Sequence, residues 1–436
     1  MTTANPDAQL ERALGVRQLS ASIFNCTVGS GIFALPAVAV ANLGTAAPLA
    51  YLVCMVIMGL VLLCFAEAGS RVAMTGGPYA YVEVALGPFV GFIAGIMLLL
   101  TGTIAGGAVA NIFAESAVAL FPSAPSWLSN VLIIAVVGLL VVTNIRGVRG
   151  SARVIEGITI AKILPLLGFV AIGLFFVTLE HFAWTDTPTT TQVMATAGIV
   201  IFAFSGIESA LAPSGEVKNP SRTVPLASFI ALGAATLLYL LIQGVALGIE
   251  GLALANDKVT PLATAAQSFA GPVGKIIMIA GATISMLGYL SANVLVGPRS
   301  WYALARDGFL FRQLSAVHPR FHTPHIAIVA YGIVIALLAL TGTFEQLAIL
   351  SNVTSFVLYA LCAIAVWVLR KRDVRSDGAP FLIPGGPIVP IATCIANIWL
   401  LYATAGRGDW LGLGLALAIS VLLFGVRWWR RRSRVA

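Results

Sequence analysis

Polar residues along this chain punctuate long apolar stretches instead of alternating with them. The stretches fall at about 17–44, 46–70, 88–119, 127–145, 155–178, 192–214, 224–249, 272–303, 324–342, 346–369, 387–405 and 410–427. Each reaches or approaches the ~20 residues that a helix needs to cross a hydrocarbon core. The pattern predicts an all-α integral membrane protein of twelve transmembrane helices. No soluble domain is expected between them, since the longest polar connection, about 305–323, is short.

Two of the stretches are interrupted in the same way. Ser30-Gly31-Ile32-Phe33-Ala34-Leu35-Pro36 and Ser205-Gly206-Ile207-Glu208-Ser209-Ala210-Leu211-Ala212-Pro213 each put a Ser-Gly-Ile step in mid-span. Glycine is a poor helix former, so the step invites unwinding. Unwound backbone at membrane depth survives only where it lines a cavity or binds something. Interrupted helices at matching positions of two half-chains point to the substrate site of a secondary transporter. The echo is about 175 residues apart, which suggests two five-helix halves plus two extra helices. An odd number of spans per half makes the halves inverted relative to each other.

Composition agrees with the pattern: 59% hydrophobic and 10% charged, with a mean hydropathy of +0.97. The five cysteines (Cys26, Cys54, Cys64, Cys362, Cys394) are scattered in apolar runs without metal or redox spacing. Residues 1–16 are polar, and no cleavable signal is expected. The net charge of +8 follows from topology. Of the 25 Lys and Arg, twenty-one fall in the N-terminal tail, every second loop and the C-terminal tail. Lys258, Lys275 and Arg407 fall opposite, and Lys162 lies within a span. The positive-inside rule puts both termini in the cytoplasm and the chain in the cytoplasmic membrane. The basic tail, with Trp428 and Trp429, reads as an orientation anchor and not as a nucleic-acid site. The resulting organisation is a tail at 1–16, a transport core at 17–380, two further helices at 381–427 and a basic tail at 428–436.

Helix direction assigns chemistry to the breaks. The second half of the first span begins near Gly31, so the N–H groups of Gly29, Ser30, Gly31 and Ile32 and the positive dipole end favour an anion. The first half of the sixth span ends near Ser205, so carbonyls around Phe202, Ala203 and Phe204 favour a cation. An anion site facing a cation site matches the head of an α-amino acid.

Two ionisable residues lie deep in the spans. Lys162 is nine residues past Arg153, about 13 Å along a helix, and Glu208 is ten before Lys218, about 15 Å. Charges at such depth are retained for pairing, proton relay or substrate contact. Glu67 near Arg71 and Glu156 near Arg153 read as interfacial ion pairs, and Glu115 needs no more than packing or snorkelling near a helix end. His318, His322 and His325 share one loop without a carboxylate or cysteine to complete a metal shell. No P-loop is present, and no histidine lies at membrane depth to serve a nucleophile. No enzyme activity, metal or other cofactor is expected.

Val28-Gly29-Ser30-Gly31-Ile32-Phe33, Thr75-Gly76-Gly77-Pro78-Tyr79-Ala80-Tyr81, Phe204-Ser205-Gly206-Ile207-Glu208-Ser209, Glu216-Val217-Lys218-Asn219-Pro220-Ser221-Arg222 and Ala303-Leu304-Ala305-Arg306-Asp307-Gly308 together resemble the amino acid–polyamine–organocation permeases. The resemblance covers about 15–405. It implies the LeuT-type fold of two inverted five-helix repeats, helices 1–5 and 6–10. It also implies a substrate carboxylate on the run from Val28 to Ile32 and an amino group on the Phe202–Ser205 backbone beside Gly206. Glu208 matches the glutamate of arginine/agmatine-type antiporters, in which Phe202 and Asn293 stand where tryptophans occur. Lys162 matches the fifth-helix lysine of the L-type and cationic branches, at the place that sodium takes in sodium-coupled relatives. The expected function is sodium-independent secondary transport of an amino acid or derivative, by exchange or proton symport, with Phe202 as a lid and Lys162 and Glu208 as coupling residues. Its partners are then a small-molecule substrate and the lipid bilayer, with a homo-oligomer left open. The alternative is a substrate-sensing receptor or channel on the same scaffold.

Overall fold

The computed structural model describes residues 15–72, 77–121, 123–146, 152–183, 187–210, 217–306, 308–375 and 379–432. Thr75, Gly76, Leu211, Ala212, Pro213, Glu216 and Asp307 of the quoted motifs lie outside them, and so do the side chains of Arg153, Glu156, Ser209, Ala210, Pro220, Trp428 and Trp429. All regular elements among the described residues are helical. They are α1 (Val16–Thr27), α2 (Gly31–Leu43), α3 (Pro48–Arg71), α4 (Pro78–Leu86), α5 (Pro88–Val118), α6 (Trp127–Ile145), α7 (Ala152–Gly173), α8 (Thr190–Val200), α9 (Ile207–Ala210), α10 (Pro220–Glu250), α11 (Pro261–Arg306), α12 (His325–Thr341), α13 (Phe344–Lys371), α14 (Ile388–Thr404) and α15 (Arg407–Arg432), with short 3₁₀ turns between some of them.

Among the described residues seven helices are long and apolar enough to cross a membrane, and α1 with α2, bent by 53°, makes an eighth when the pair is counted as one span. Four shorter apolar helices lie in the remaining predicted stretches: 161–176, 190–204, 325–341 and 388–404. The sequence pattern passed over two pieces. One is α4, which packs along α5 and α13, and the other is the first turns of α11, before a bend at Gly271 (φ +64°). Both are too short to register as spans.

α10 packs on α3 and α1, α13 on α5 and α14, and α11 on α5 and α7. The outer surface is apolar: Ile134, Leu164, Leu237, Ile398 and Leu415 are each more than half exposed. Side chains of this kind all round a helical bundle are what a lipid environment solvates.

The C-terminal ends of α3 and α13 bring Arg71 and Arg370 together, with Arg372 bonded to the Ala85 carbonyl near the end of α4; this end is here called the basic face. Glu67 there is fully buried, so the expected interfacial pair with Arg71 is corrected to a buried network. The Glu67 carboxylate accepts from Arg71 Nε at 3.0 Å, Arg370 Nε at 3.0 Å, Arg370 Nη2 and the Ile383 N–H at 3.0 Å. Arg71 reaches on to the Val374 carbonyl at 3.2 Å. A buried charge is tolerable when its lone pairs are filled this way, and the bonds tie α3 to α13 and the segment after it.

At the opposite face Asp257 organises the entry to α11. It accepts from the Val259 and Thr260 N–H groups at 3.0 and 2.8 Å and from the Thr260 and Thr264 hydroxyls at 3.0 and 2.6 Å. Burial pushes its carboxyl up, but these four bonds outweigh burial and hold it below the usual carboxylate range. A depressed carboxylate stabilises the fold above its unfolded pKa of ~3.9 and loses that contribution as pH falls through the lower folded value. Asp257→Ala should therefore destabilise the protein at neutral pH by a cap-sized ~0.5–2 kcal/mol, read as a lower melting temperature. The difference from native protein should shrink below about pH 4; a difference that is constant from pH 7 to pH 3 would refute the assignment.

Candidate functional site

α1 stops where the run Val28-Gly29-Ser30-Gly31 begins. Val28 leaves helical geometry (φ −75°, ψ 86°), while Ser30 is already helical and starts α2 at Gly31. The second break is built differently. α8 tightens into a 3₁₀ turn at Ile201–Phe204, Ser205 is extended, and Gly206 sits at φ +105° before α9.

The two breaks touch. A Cβ on Gly31 would lie 2.7 Å from Ala203 Cα and 3.1 Å from Ala203 N, so only glycine lets α2 approach that backbone. A Cβ on Gly206 would lie 2.9 Å from the Cys26 carbonyl oxygen, and its positive φ also favours glycine.

The last turn of α1 leaves carbonyls without helical partners, and other helices supply donors to three at this break. Lys162 Nζ donates to the Asn25 and Val28 oxygens at 2.6 and 2.8 Å. The Tyr239 hydroxyl lies 2.8 Å from the Thr27 oxygen, and the Cys26 oxygen abuts Gly206. Lys162 is 6% exposed, and among the described residues no carboxylate pairs with it. Its two bonds lie at the negative end of the α1 half-helix, where a cation is favoured.

On the other side of the break, no acceptor among the described residues takes the N–H groups of Gly29, Ser30, Gly31 or Ile32; the first to turn back is Phe33, to the Ser30 carbonyl at 3.1 Å. Val28 and Ile32 flank these amides as buried apolar side chains. Unengaged amides at a helix N-terminus favour an anion.

The carbonyl end is less free than the sequence suggests. The Phe202 oxygen accepts from the Ser205 N–H at 3.2 Å, and the Ala203 oxygen lies 2.9 Å from the Tyr239 hydroxyl. Of the three carbonyls expected to be open, only that of Phe204 lacks a partner among the described residues. One turn earlier, Asn352 Nδ2 donates to the Gly198 and Ile199 oxygens at 2.9 and 3.2 Å.

Glu208 is buried, and its carboxylate accepts from the Gly206 N–H at 3.1 and 3.2 Å and from the Tyr359 hydroxyl at 3.0 Å. It therefore closes the loop of its own break. Phe202 is 7% exposed and packs edge-on against Phe344 at 5.5 Å, at the start of α13. Asn293 is not free: it donates to the Gly102 carbonyl at 2.9 Å and accepts from Tyr331 at 2.8 Å, joining α11 to α5 and α12. Glu115 is half-buried on α5. The His318 Nδ1 accepts from the Arg320 and Phe321 N–H groups, and no metal-binding cluster occurs among the described residues.

Accessibility around the breaks is one-sided. Residues from Gly31 to Val40 and from Thr196 to Phe204 are buried, whereas Phe24, Asn25, Cys26, Gly29, Ser205 and Gly206 are half-buried. The breaks are thus buried where Phe202 meets Phe344 and half-buried at the end of α1 and at Ser205 and Gly206.

Sequence reading missed Tyr239, Tyr359 and Asn352. Asn352, a lone amide in mid-span, carried the signal, because polar side chains at membrane depth hydrogen-bond across helices. The tyrosines carried none, since their rings are at home in an apolar run.

The model of the family described as amino acid permease matches residues 14–426. The methylthioribose transporter of Bacillus subtilis (strain 168) is 30% identical over 97% of this chain and 95% of its own. The serine/threonine exchanger SteT of the same organism is 30% identical over 95% of this chain and 96% of its own. Its branched-chain amino acid permease BcaP is 27% identical over 91% and 88%.

Proposed function

This chain belongs to the amino acid permease family, and from that premise we propose that it is a sodium-independent secondary transporter of an amino acid or close derivative. As a member of the family it is a multi-pass membrane transporter and not an enzyme. The finer reading is alternating access on a LeuT-type fold of twelve spans, with the basic face and both termini in the cytoplasm.

The observation that carries it is the contact between the two breaks, which sets four unengaged amides next to the end of the 3₁₀ turn. A substrate carboxylate fits the amides of Gly29, Ser30, Gly31 and Ile32, and its ammonium fits the Phe204 carbonyl beside Ser205. Lys162 supplies the cation that sodium would otherwise provide at the end of α1. Exchange is the mode named for SteT, and proton symport is the alternative mode here.

A thermal-shift screen of the purified protein against amino acids, the corresponding amines and methylthioribose tests the reading, because a ligand stabilises the state it binds. Stabilisation by amino acids but not by decarboxylated amines is expected, followed by saturable uptake of the stabilising compound into proteoliposomes. Equal stabilisation by the amines would remove the amide site from substrate binding. Uptake that never saturates would favour a channel.

Phe202→Ala should weaken apparent affinity and loosen occlusion, since it deletes the ring that meets Phe344. Truncating a buried Phe costs about 3–5 kcal/mol in a packed core, so part of the protein should also be lost on purification. Unchanged half-saturation in the surviving fraction would deny Phe202 the role of lid.

A further inference from the structure

We propose that Asn352 is a positioning residue for transport, whose amide fills the carbonyls at which α8 tightens and so sets where the second break presents its backbone. The inference rests on the transporter reading above.

Asn352 projects from α13 and is fully buried. Its Nδ2 donates to the Gly198 oxygen at 2.9 Å and to the Ile199 oxygen at 3.2 Å, in the last turn of α8. In a continuing α-helix these carbonyls take the N–H groups of Phe202 and Ala203. Here the α-helical ladder ends with the Ile201 N–H, which reaches the Ala197 oxygen. Ile201–Phe204 then runs on as a 3₁₀ turn, in which each N–H reaches only three residues back. The Asn352 amide stands in for the donors that the turn withdraws. Its Oδ1 is buried without a partner among the described residues. A polar atom kept in that state is a cost, so the residue contributes through its N–H groups and not as filling.

α8 itself is held in place. The Cys54 thiol of α3 donates to the Ala197 oxygen at 3.2 Å, and a side chain on Gly198 would run into Thr404 of α14. Any change in the winding of the turn is therefore passed on to Ala203 and Phe204. Without the amide, the open carbonyls are satisfied again by recruiting the N–H groups of Phe202 and Ala203, which rewinds the turn as α-helix. A 3₁₀ turn advances ~2.0 Å and ~120° per residue, against ~1.5 Å and ~100° in an α-helix. Over four residues, rewinding draws the chain back by about 2 Å and turns the Phe204 carbonyl by about 80°. Ala203 then parts from Gly31, and the Phe204 carbonyl leaves the amides of the first break.

The test is a double-mutant cycle with Gly31, which lies against Ala203 and has no bond in common with Asn352. The full chain in mixed micelles is unfolded by SDS titration as native protein, Gly31→Ala, Asn352→Leu and the pair. Interhelical bonds of this kind are individually weak in a membrane, so Asn352→Leu should insert and fold. Sites that are independent add. With the turn drawn back, the methyl of Gly31→Ala no longer meets Ala203. Its effect on the unfolding constant should shrink by about 3-fold or more in the Asn352→Leu background. Asn352→Gln, one methylene longer but still a donor, should leave that effect as it is in native protein. Asn352→Leu should also lose stabilisation by the amino acid that stabilises native protein, and Asn352→Gln should keep it. Packing alone predicts the reverse order, because Leu is closer to Asn in length. Additive effects of Gly31→Ala and Asn352→Leu would overturn the proposal, and so would equal coupling in Asn352→Gln. An Asn352→Leu protein that does not fold would overturn it too, since the proposal requires a folded protein with a displaced break. The cycle needs no substrate, so failure of the amino-acid assignment would leave its result standing.

Discussion

Gly31→Ala is expected to abolish transport in a protein that still inserts and folds. From sequence alone the damaging change is a β-branched residue, because Val obstructs the amides and resists the turn. The tertiary contact makes the demand stricter. A single methyl on Gly31 would lie 2.7 Å from Ala203 Cα, a backbone atom that cannot rotate away. The two breaks must then part by several tenths of an ångström. Overpacking of this kind costs about 1–3 kcal/mol, which the surrounding bundle can absorb, but it displaces the amides of Gly29–Ile32 from the Phe204 carbonyl. Size-exclusion profile and expression should stay near native while substrate-induced thermal stabilisation disappears. Retained stabilisation in Gly31→Ala would mean that the substrate does not sit between the breaks. Gly29→Ala should be milder, since a methyl there meets no atom closer than 3.9 Å.

The second large effect is expected at Lys162. Lys162→Ala leaves the Asn25 and Val28 carbonyls without donors, at ~1–3 kcal/mol for each group that stays buried. If Lys162 is a fixed cation at the end of α1, exchange and gradient-driven uptake both fail. If it carries the coupled proton, gradient acceleration is lost while some exchange survives. The two carbonyl bonds favour the first outcome. Exchange and proton-gradient assays on the same proteoliposomes separate the two, and gradient-driven accumulation that persists intact in Lys162→Ala would exclude both roles.

The positions of both breaks were legible in the sequence, because a Ser-Gly-Ile step weakens a helix wherever it occurs. α2 starts at Gly31, and the turn after α8 ends at Phe204, as the spacing predicts. That Lys162 and Glu208 lie well inside their spans was legible too, since that needs only a count along the chain, and both are buried. The partners of those residues were not. Glu208 looked open for coupling, and in the structure it is bonded to Gly206 and Tyr359, the latter 151 residues away. Asn293, expected at the site wall, also bonds across helices to Gly102 and Tyr331, which its position in the sequence does not show.

What the sequence by itself determined is what depends on local chemistry: apolar run length, helix-breaking steps and the polarity of each half-helix end. What only the tertiary structure decided is which of the exposed backbone groups remain available. Lys162 reaches α1 across 137 residues and Tyr239 across 212, and each fills carbonyls that spacing alone leaves open. Arg370 reaches Glu67 across 303 and turns an apparent surface pair into a buried network. The physical reason is that a helix end has the same unsatisfied groups in any fold, whereas the donor that satisfies them is supplied by whichever helix packs beside it.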